Sequence, residues 1–536
     1  MVNYKQFAAT DDVAYNISNA LAYCKEHRED ILIFDKGCYH IKSELASEKF
    51  YSISNHGDAA LKRICFLLEG FTDFTIDGGG SEFIFEDVML PAAIDHCKNV
   101  SFRNFTFDWK NTLNFQARVV NSEENCLVLE MLTDLPYYVY GGDLYVGDPK
   151  GLHQSMYFFN ECDGETGWLN GETGDYFLND PASRIEFSIL ENGLVKGVGI
   201  KRTFKPGNVL VFCPFTRCSA NILINDSENT NISDMILHSG IGMGVIAQNA
   251  DAVTVERLST RRKPGRYYTL NNDATHFVHC KGQISVRNCD FEGQLDDALN
   301  VHNIYLRIVG KTERSLIVKF MHFETQGIDL LREGGLIRTL KTDTLLPYGE
   351  HTINGVRKIN LNHVELFIDS TEGIEIGDNI EEVSWKCDVL FENCIVKNNR
   401  ARGMLLASAG KTIIRNNHFL NPGAPIRFES EGRFWFEAGG VGEVLICNNL
   451  FENCKYATYP GWGNAVIEVA PREKTEEGRY YHNTIRIENN TFQDCHGILA
   501  AVNNTEHFTF IGNTIQGGDA EAVKFFHIGR LETDVE

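Results

Sequence analysis

The chain has 536 residues and a mass of 60.5 kDa, enough for one large core or several ordinary domains. Hydrophobic residues at 43% and charged residues at 23% predict a folded, soluble protein, and no apolar run reaches the roughly 18 residues of a transmembrane helix. With 73 Asp+Glu against 50 Lys+Arg, the formal net charge of −23 argues against a nucleic-acid partner and suits a polyanionic substrate poorly.

The first residues, MVNYKQFAATDD, lack a basic n-region and an apolar h-region. The expected location is the cytoplasm, or outside the cell if a signal peptide has been removed. Val13, Ile17, Ala20, Leu21 and Cys24 follow helical spacing after Asp11 and Asp12, which predicts an amphipathic helix capping the end of a solenoid. ILIFDKGCYHI (31–41) is expected to begin the strands, and FTIDGGGSEFIF (74–85) reads as a coil with a tight glycine turn.

One phrase then recurs: an apolar residue, one or two polar residues, Asn, another residue, and Phe or Ile. It appears as VRNCDF (286–291), LFENCIV (390–396), IRNNHF (414–419), ICNNLF (446–451), IENNTF (487–492) and FIGNTI (510–515). Weaker copies are VSFRNFTF (100–107) and TNISDMIL (230–237). Asn393 and Asn417 lie 24 apart and Asn490 and Asn513 lie 23 apart, so the basic turn is about 23 residues. Short β-branched and aromatic strands at this period, with no helix between them, predict a parallel β-helix. Asn suits its bends because the amide bonds neighbouring backbone and tolerates left-handed φ.

Two regions break the period. Residues 112–215 and 306–386 carry alternating strands such as CLVLEML (126–132) and SLIVKF (315–320) without the Asn phrase. Each is expected to be an inserted antiparallel, barrel-like module. The organisation is then 1–111 cap and first coils, 112–215 module, 216–305 central coils, 306–386 module and 387–536 last coils. The acidic loop ECDGETGWLNGETGDY (161–176) reads as solvated. The 15 cysteines show no zinc spacing and read as small core residues and free thiols, which fits a reducing compartment.

The densest chemical stretch is YYTLNNDATHFVHCKGQISVRNCDFEGQLDDALNVHN (267–303). Asp273 and Asp296 are 23 apart, one coil, and Asp297 adjoins Asp296, so three carboxylates are expected to converge on one face. Like charges so close should raise at least one pKa, giving a proton donor beside ionised partners. Glycoside hydrolysis needs that division, and a groove holding two carboxylates roughly 6.5–9.5 Å apart would have the inverting geometry. The bland alternatives are a calcium site or a solvated acidic turn. His276, Asn300 and His302 are expected to bind hydroxyls or tune the acids, and His279 to be structural. Trp435 in RFWFEAGG and Trp462 in YPGWGNAV are candidate sugar platforms, with Glu437 beside the first.

NNDATHF, the C-x-G-x-I-x-V-x-N-C-x-F-x-G phrase that follows it, DDALNVH, GMGVIAQN (242–249), WFEAGG and IENNTF together resemble glycoside hydrolase family 110, the exo-acting α-1,3-galactosidases. The likeness runs from about 20 to 520. It implies a right-handed parallel β-helix with β-barrel insertions. It also implies cofactor- and metal-independent, inverting release of terminal α-1,3-linked galactose, as in blood group B-type structures. The acidic trio resembles that of polygalacturonases, which makes Asp296 the general acid while Asp297 and Asp273 position and deprotonate water. The sequence departs in reading NVHNIY where a glycine is expected after the histidine. A further carboxylate is sought among Glu324, Asp329 and Glu333. Two other readings compete. A uronate-active hydrolase or lyase would need basic residues, in which the candidate cluster is poor, Arg287 being the nearest. A non-catalytic glycan-binding β-helix would bind without turnover.

Overall fold

The computed structural model describes residues 1–535 except 58, 148–152, 179, 215 and 471–473. Three stacks of parallel strands wind about one core, joined by bends. The first face contains Leu90–Asp95, Ile222–Asn225, Val245–Gln248, Thr275–Val278, Leu299–Ile304, Met404–Leu406, Ile426–Glu429 and Ala465–Ala470, paired in that order. The second and third faces run alongside it, as in Cys387–Glu392 on Lys411–Arg415 and Ile395–Lys397 on His418–Leu420.

Inward side chains stack in register because residues one coil apart occupy the same place on the pleat. One column on the second face runs Phe102, Ile232, Val255, Val286, Phe391, Ile414, Ile446, Ile487, Phe510, and all are fully buried. On the third face the rings of Phe419, Phe451 and Phe492 stack with centroids 5.1 and 4.9 Å apart.

The recurrent Asn has two jobs at the bend from the second face to the third. The first Asn of each pair takes left-handed φ: Asn416 at 58°, Asn448 at 56°, Asn489 at 56°. The second forms a buried ladder in which each amide Nδ2 donates to the next Oδ1, from Asn417 to Asn449 (2.9 Å), Asn490 (2.9 Å) and Asn513 (3.0 Å). The same Oδ1 atoms accept the backbone N–H of the coil before. Asn393, with φ 56°, follows Glu392, which pairs with Arg415, so its mate is Asn416 rather than Asn417. The expected 24-residue spacing there is a coil of 23 read one residue out of register. In the weaker copies, Asn104 and Asp234 take the same bend.

The predicted N-terminal helix covers Val13–His27, with Asp12 accepting from the Tyr15 N–H and Ala14, Ile17, Ala20, Leu21 and Cys24 buried. One strand, Val2–Asn3, precedes it and pairs with Leu32–Ile33, so the solenoid begins before residue 31. In the glycine turn, Gly79 has φ 62° and a Cβ there would lie 2.1 Å from Phe34 O, which leaves no room for a side chain. Among the described residues no helix is long and apolar enough to cross a membrane.

Two antiparallel sheets interrupt the coils. Among the described residues nine strands lie between Phe115 and Pro214, and the sheet's two ends meet where the Phe187 N–H donates to Gly142 O at 2.8 Å. Seven strands lie between Leu306 and Glu382 around Ile308, Leu316, Val318, Leu366 and Ile380. The first module leaves the chain just before the first-face strand Ile222–Asn225, and the second just after Leu299–Ile304. Both therefore flank the first face, where the acidic stretch lies.

Candidate active site

Asp273 and Asp297 each stand two residues before a first-face strand position, because Thr275 pairs with Leu299. The coil here holds 24 residues, so the mate of Asp273 is Asp297 and not Asp296 as the sequence spacing implied. Their backbones lock them together: the Asp297 N–H donates to Asp273 Oδ1 (3.0 Å) and the Ala274 N–H donates to Asp297 O (2.9 Å). Asp296 stands one residue earlier on the bend, with its backbone carbonyl held by Asn399 Nδ2 at 3.0 Å. One oxygen from each of Asp273, Asp296 and Asp297 lies within 4.8 Å of the others. That is closer than the separation expected of an inverting pair.

The trio forms the floor of a cavity of about 380 Å3 between the two modules. Burial, then Asp296 and Asp297, push the Asp273 carboxyl far above its ordinary range. Burial also raises Asp297, to about 7, against the pull of Arg402. Buried oxygens without a hydrogen-bond partner face the same region: Asp297 Oδ2, Asn272 Oδ1 and Asn300 Oδ1. Such groups are costly unless a ligand or water satisfies them.

Three guanidiniums answer the acids, contrary to the expectation of a site poor in basic residues. Arg402 Nε donates to Asp297 Oδ1 (3.0 Å), and its Nη2 lies 3.6 Å from Asp296. Arg400 Nη1 is 3.4 Å from Asp296. Arg217 is 3.5 Å from Glu324 and lies over the Trp435 ring at 5.4 Å. Arg287, the nearest in sequence, pairs with Glu256 on the second face instead. A cation would fit the trio on spacing alone, but the guanidiniums already supply its positive charge.

Arg400 is set from the first module. Asp175 accepts from Arg400 Nε (2.9 Å) and Nη2 (2.8 Å), and also from Trp462 Nε1 (3.1 Å). The loop expected to be solvated thus ends in a buried carboxylate whose pKa these donors hold down against burial. Trp462 is 1% exposed and lies behind the cavity, so it is a prop for Asp175 rather than a sugar platform.

The other expected residues divide. Asn300, Trp435 and Glu437 line the cavity. His276 and His302 do not: His276 is fully buried behind Asp273, and its Nδ1 is 2.6 Å from Asp273 Oδ2. His279 is buried between Asn249 and Glu382. Glu324 lines the cavity, whereas Asp329 pairs with Lys358 and Glu333 is exposed. Asn303, the departure from the family phrase, donates to the backbone of Glu382 (3.1 Å) and Trp385 (3.2 Å) and so ties the strand to the second module. A second cavity of about 350 Å3 lies beyond His302, but none of the trio lines it.

The arginines and two rim aromatics, Phe323 and Phe434, which are 48% and 62% exposed, were not among the residues expected from the sequence. The aromatic loop had a legible signal in EGRFWF. The Glu431 carboxylate accepts the backbone N–H groups of Arg433, Phe434, Trp435 and Phe436, which folds that segment over the cavity.

The family profile described as GLAA-B beta-barrel domain II matches residues 315–380, and that of the right handed beta helix region matches 352–527. The α-1,3-galactosidase A of Shewanella woodyi is 29% identical over 94% of this chain and 83% of its own. The α-1,3-galactosidase B of Bacteroides thetaiotaomicron is 31% identical over 93% of this chain and 82% of its own. The chain belongs to the α-1,3-galactosidase family. Its solenoid is accordingly a right-handed parallel β-helix, and the barrel domain II match of this α-1,3-galactosidase family member falls within the second module. The A-module of the mannuronan C-5 epimerase AlgE4 from Azotobacter vinelandii overlaps with 100% of each chain covered, at a TM-score of 0.44 and 11% identity, too distant to bear on the chemistry.

Proposed function

We propose that this glycoside hydrolase releases terminal α-1,3-linked galactose from a glycan or glycoconjugate, with inversion at the anomeric carbon. The observation that carries the reading is the buried acidic trio, braced by Arg400 and Arg402, on the floor of a cavity of sugar size in a member of this family. Asp296, the most accessible of the three, is the proton donor to the leaving oxygen. Asp297 and Asp273 hold and activate water below it. The unpartnered oxygens of Asn272 and Asn300 accept galactose hydroxyls, and Phe323, Phe434 and Trp435 form the apolar side of the mouth. A uronate would have to displace the carboxylates that already occupy all three guanidiniums.

The close spacing of the trio favours a second reading, retention through a covalent intermediate, because retaining pairs stand roughly 5–5.5 Å apart. The anomer formed first decides between them. Nuclear magnetic resonance of early product from an α-1,3-galactoside should show β-galactose, and α-galactose would establish retention. Absence of hydrolysis of α-1,3-, α-1,4- and α-1,6-galactosides alike would remove both readings.

A further inference from the structure

Three hydrogen bonds run in line away from the trio. His302 Nδ1 donates to the Asn303 carbonyl at 2.7 Å. The Nε2 atoms of His302 and His276 are 3.0 Å apart. His276 Nδ1 is 2.6 Å from Asp273 Oδ2. Each bond needs one proton, and a carbonyl supplies none, so the chain counts itself. The first proton is on His302 Nδ1, the second lies between the two Nε2 atoms, and the third between His276 Nδ1 and Asp273. Two neutral rings carry only two. The third makes Asp273 a carboxylic acid or makes one ring an imidazolium.

The surroundings choose. His276 is fully buried and faces His302, Arg217 and His56, none of which welcomes a positive ring. His302 faces His276 and, at 3.6 Å, Glu437. Asp273 faces Asp296 and Asp297, which favour its proton, and Arg217 and Arg402, which oppose it. Burial is the largest influence on Asp273 and on His276, and it favours the neutral form of each. Asp273 Oδ1 is meanwhile occupied by the Asp297 N–H.

We propose that His276 and His302 are positioning residues that fix one proton on Asp273, so that Asp273 orients the attacking water as a neutral acid and Asp297 alone takes that water's proton. This rests on the inverting hydrolase reading above. The step balances: the water oxygen bonds to the anomeric carbon as the bond to the leaving oxygen breaks. One water proton passes to Asp297, and the Asp296 proton passes to the leaving oxygen. Asp297 then gives up its proton to solvent while Asp296 regains one. The Asp273 proton is not spent.

Two measurements test the assignment. In Asp273→Asn the amide reproduces both hydrogen bonds, donating to His276 and accepting from Asp297. Its loss of kcat should be at least about tenfold smaller than the roughly 10²–10⁴-fold loss in Asp297→Asn. Its pH profile should keep the acid limb that belongs to Asp297. A loss equal to that of Asp297→Asn, or a vanished limb, overturns the proposal. Independently of activity, ¹⁵N resonance of histidine-labelled protein, assigned with His276→Gln and His302→Gln, should show His276 protonated on Nε2 and His302 on Nδ1. His276 protonated on Nδ1, or either ring as an imidazolium at neutral pH, overturns it too. Should Asp296→Asn and Asp297→Asn both keep full turnover, the hydrolase reading fails, and the tautomers still report the proton count by themselves.

Discussion

Arg402 stands one coil above Asp297, its Nε 3.0 Å from Asp297 Oδ1, although 105 residues separate them. Asp297 in turn stands one coil above Asp273, 24 residues away. The two intervals differ because the second module is inserted between Leu299–Ile304 and Cys387–Glu392. Three adjacent coils thus stack acid, acid and guanidinium in one column.

Asp297 in that column and Asp296 beside it are both held by guanidiniums, unlike a surface acid. Asp296→Asn and Asp297→Asn should each lower kcat by about 10²–10⁴-fold, the usual worth of a positioned acid or base. Circular dichroism should show the fold intact, since both changes are isosteric. Turnover of an α-1,3-galactoside near the wild-type rate in both would reject the site.

The pH dependence follows from Asp297, raised to about 7 by burial. As a base it must be ionised, so kcat/KM should rise with pH through about 7. Stability has the opposite sense. A folded-state pKa above the unfolded one means that protonation favours the fold. The contribution is complete below the ordinary carboxylate value of about 3.9 and is lost as pH rises through the raised value. Melting curves of wild type and Asp297→Asn should therefore diverge across that window, the variant gaining with rising pH, and then run parallel. A constant difference at every pH would mean that Asp297 titrates as an ordinary carboxylate.

Asp175 reaches the site only through Arg400. Asp175→Ala leaves a buried guanidinium without its bidentate partner, which costs about 3–5 kcal/mol. Arg400 then no longer holds its place beside Asp296, so kcat should fall together with the melting temperature. An Asp175→Ala protein with unchanged kcat would show that Arg400 keeps its position without the module.

Trp435 is held at the mouth by its neighbours rather than by the reacting groups, with Arg217 over its ring and the His322 ring centroid 4.5 Å away. Trp435→Ala should raise KM more than it lowers kcat, because the lost contact is made equally in ground and transition states. A fall in kcat at constant KM would instead place the ring against the developing charge.

The Asn ladder carries stability without touching chemistry. Asn449→Ala strips the acceptor from the Asn417 amide and from its backbone N–H, and the donor to Asn490. Buried unsatisfied groups of this kind cost about 1–3 kcal/mol each. Thermal unfolding should drop accordingly while KM for substrate stays put. An unchanged melting temperature would mean that water replaces the rung.

Local chemistry alone determined the solenoid. A bend that demands left-handed φ and a buried amide writes Asn at a fixed interval, and a column of inward side chains writes Phe, Ile and Val between. The helix after Asp12 and the interruptions at 112–215 and 306–386 were legible for the same reason, since periodicity is a property of neighbours in sequence. Asp273, Asp296 and Asp297 were legible as well, being within one turn of each other. Their register was not, because a coil of 24 and one of 23 look alike until strands pair. Arg217, Arg400, Arg402 and Asp175 were decided only by the tertiary structure. Asp175 comes from the first module, Arg217 from the coil that follows it, and Arg400 and Arg402 from the coil beyond the second module, and an insertion of arbitrary length erases the interval that would have announced them. Burial did the rest: it turned His276, His302 and Trp462 from expected sugar contacts into the supports behind the acids, and no spacing in a sequence records which side of a carboxylate faces solvent.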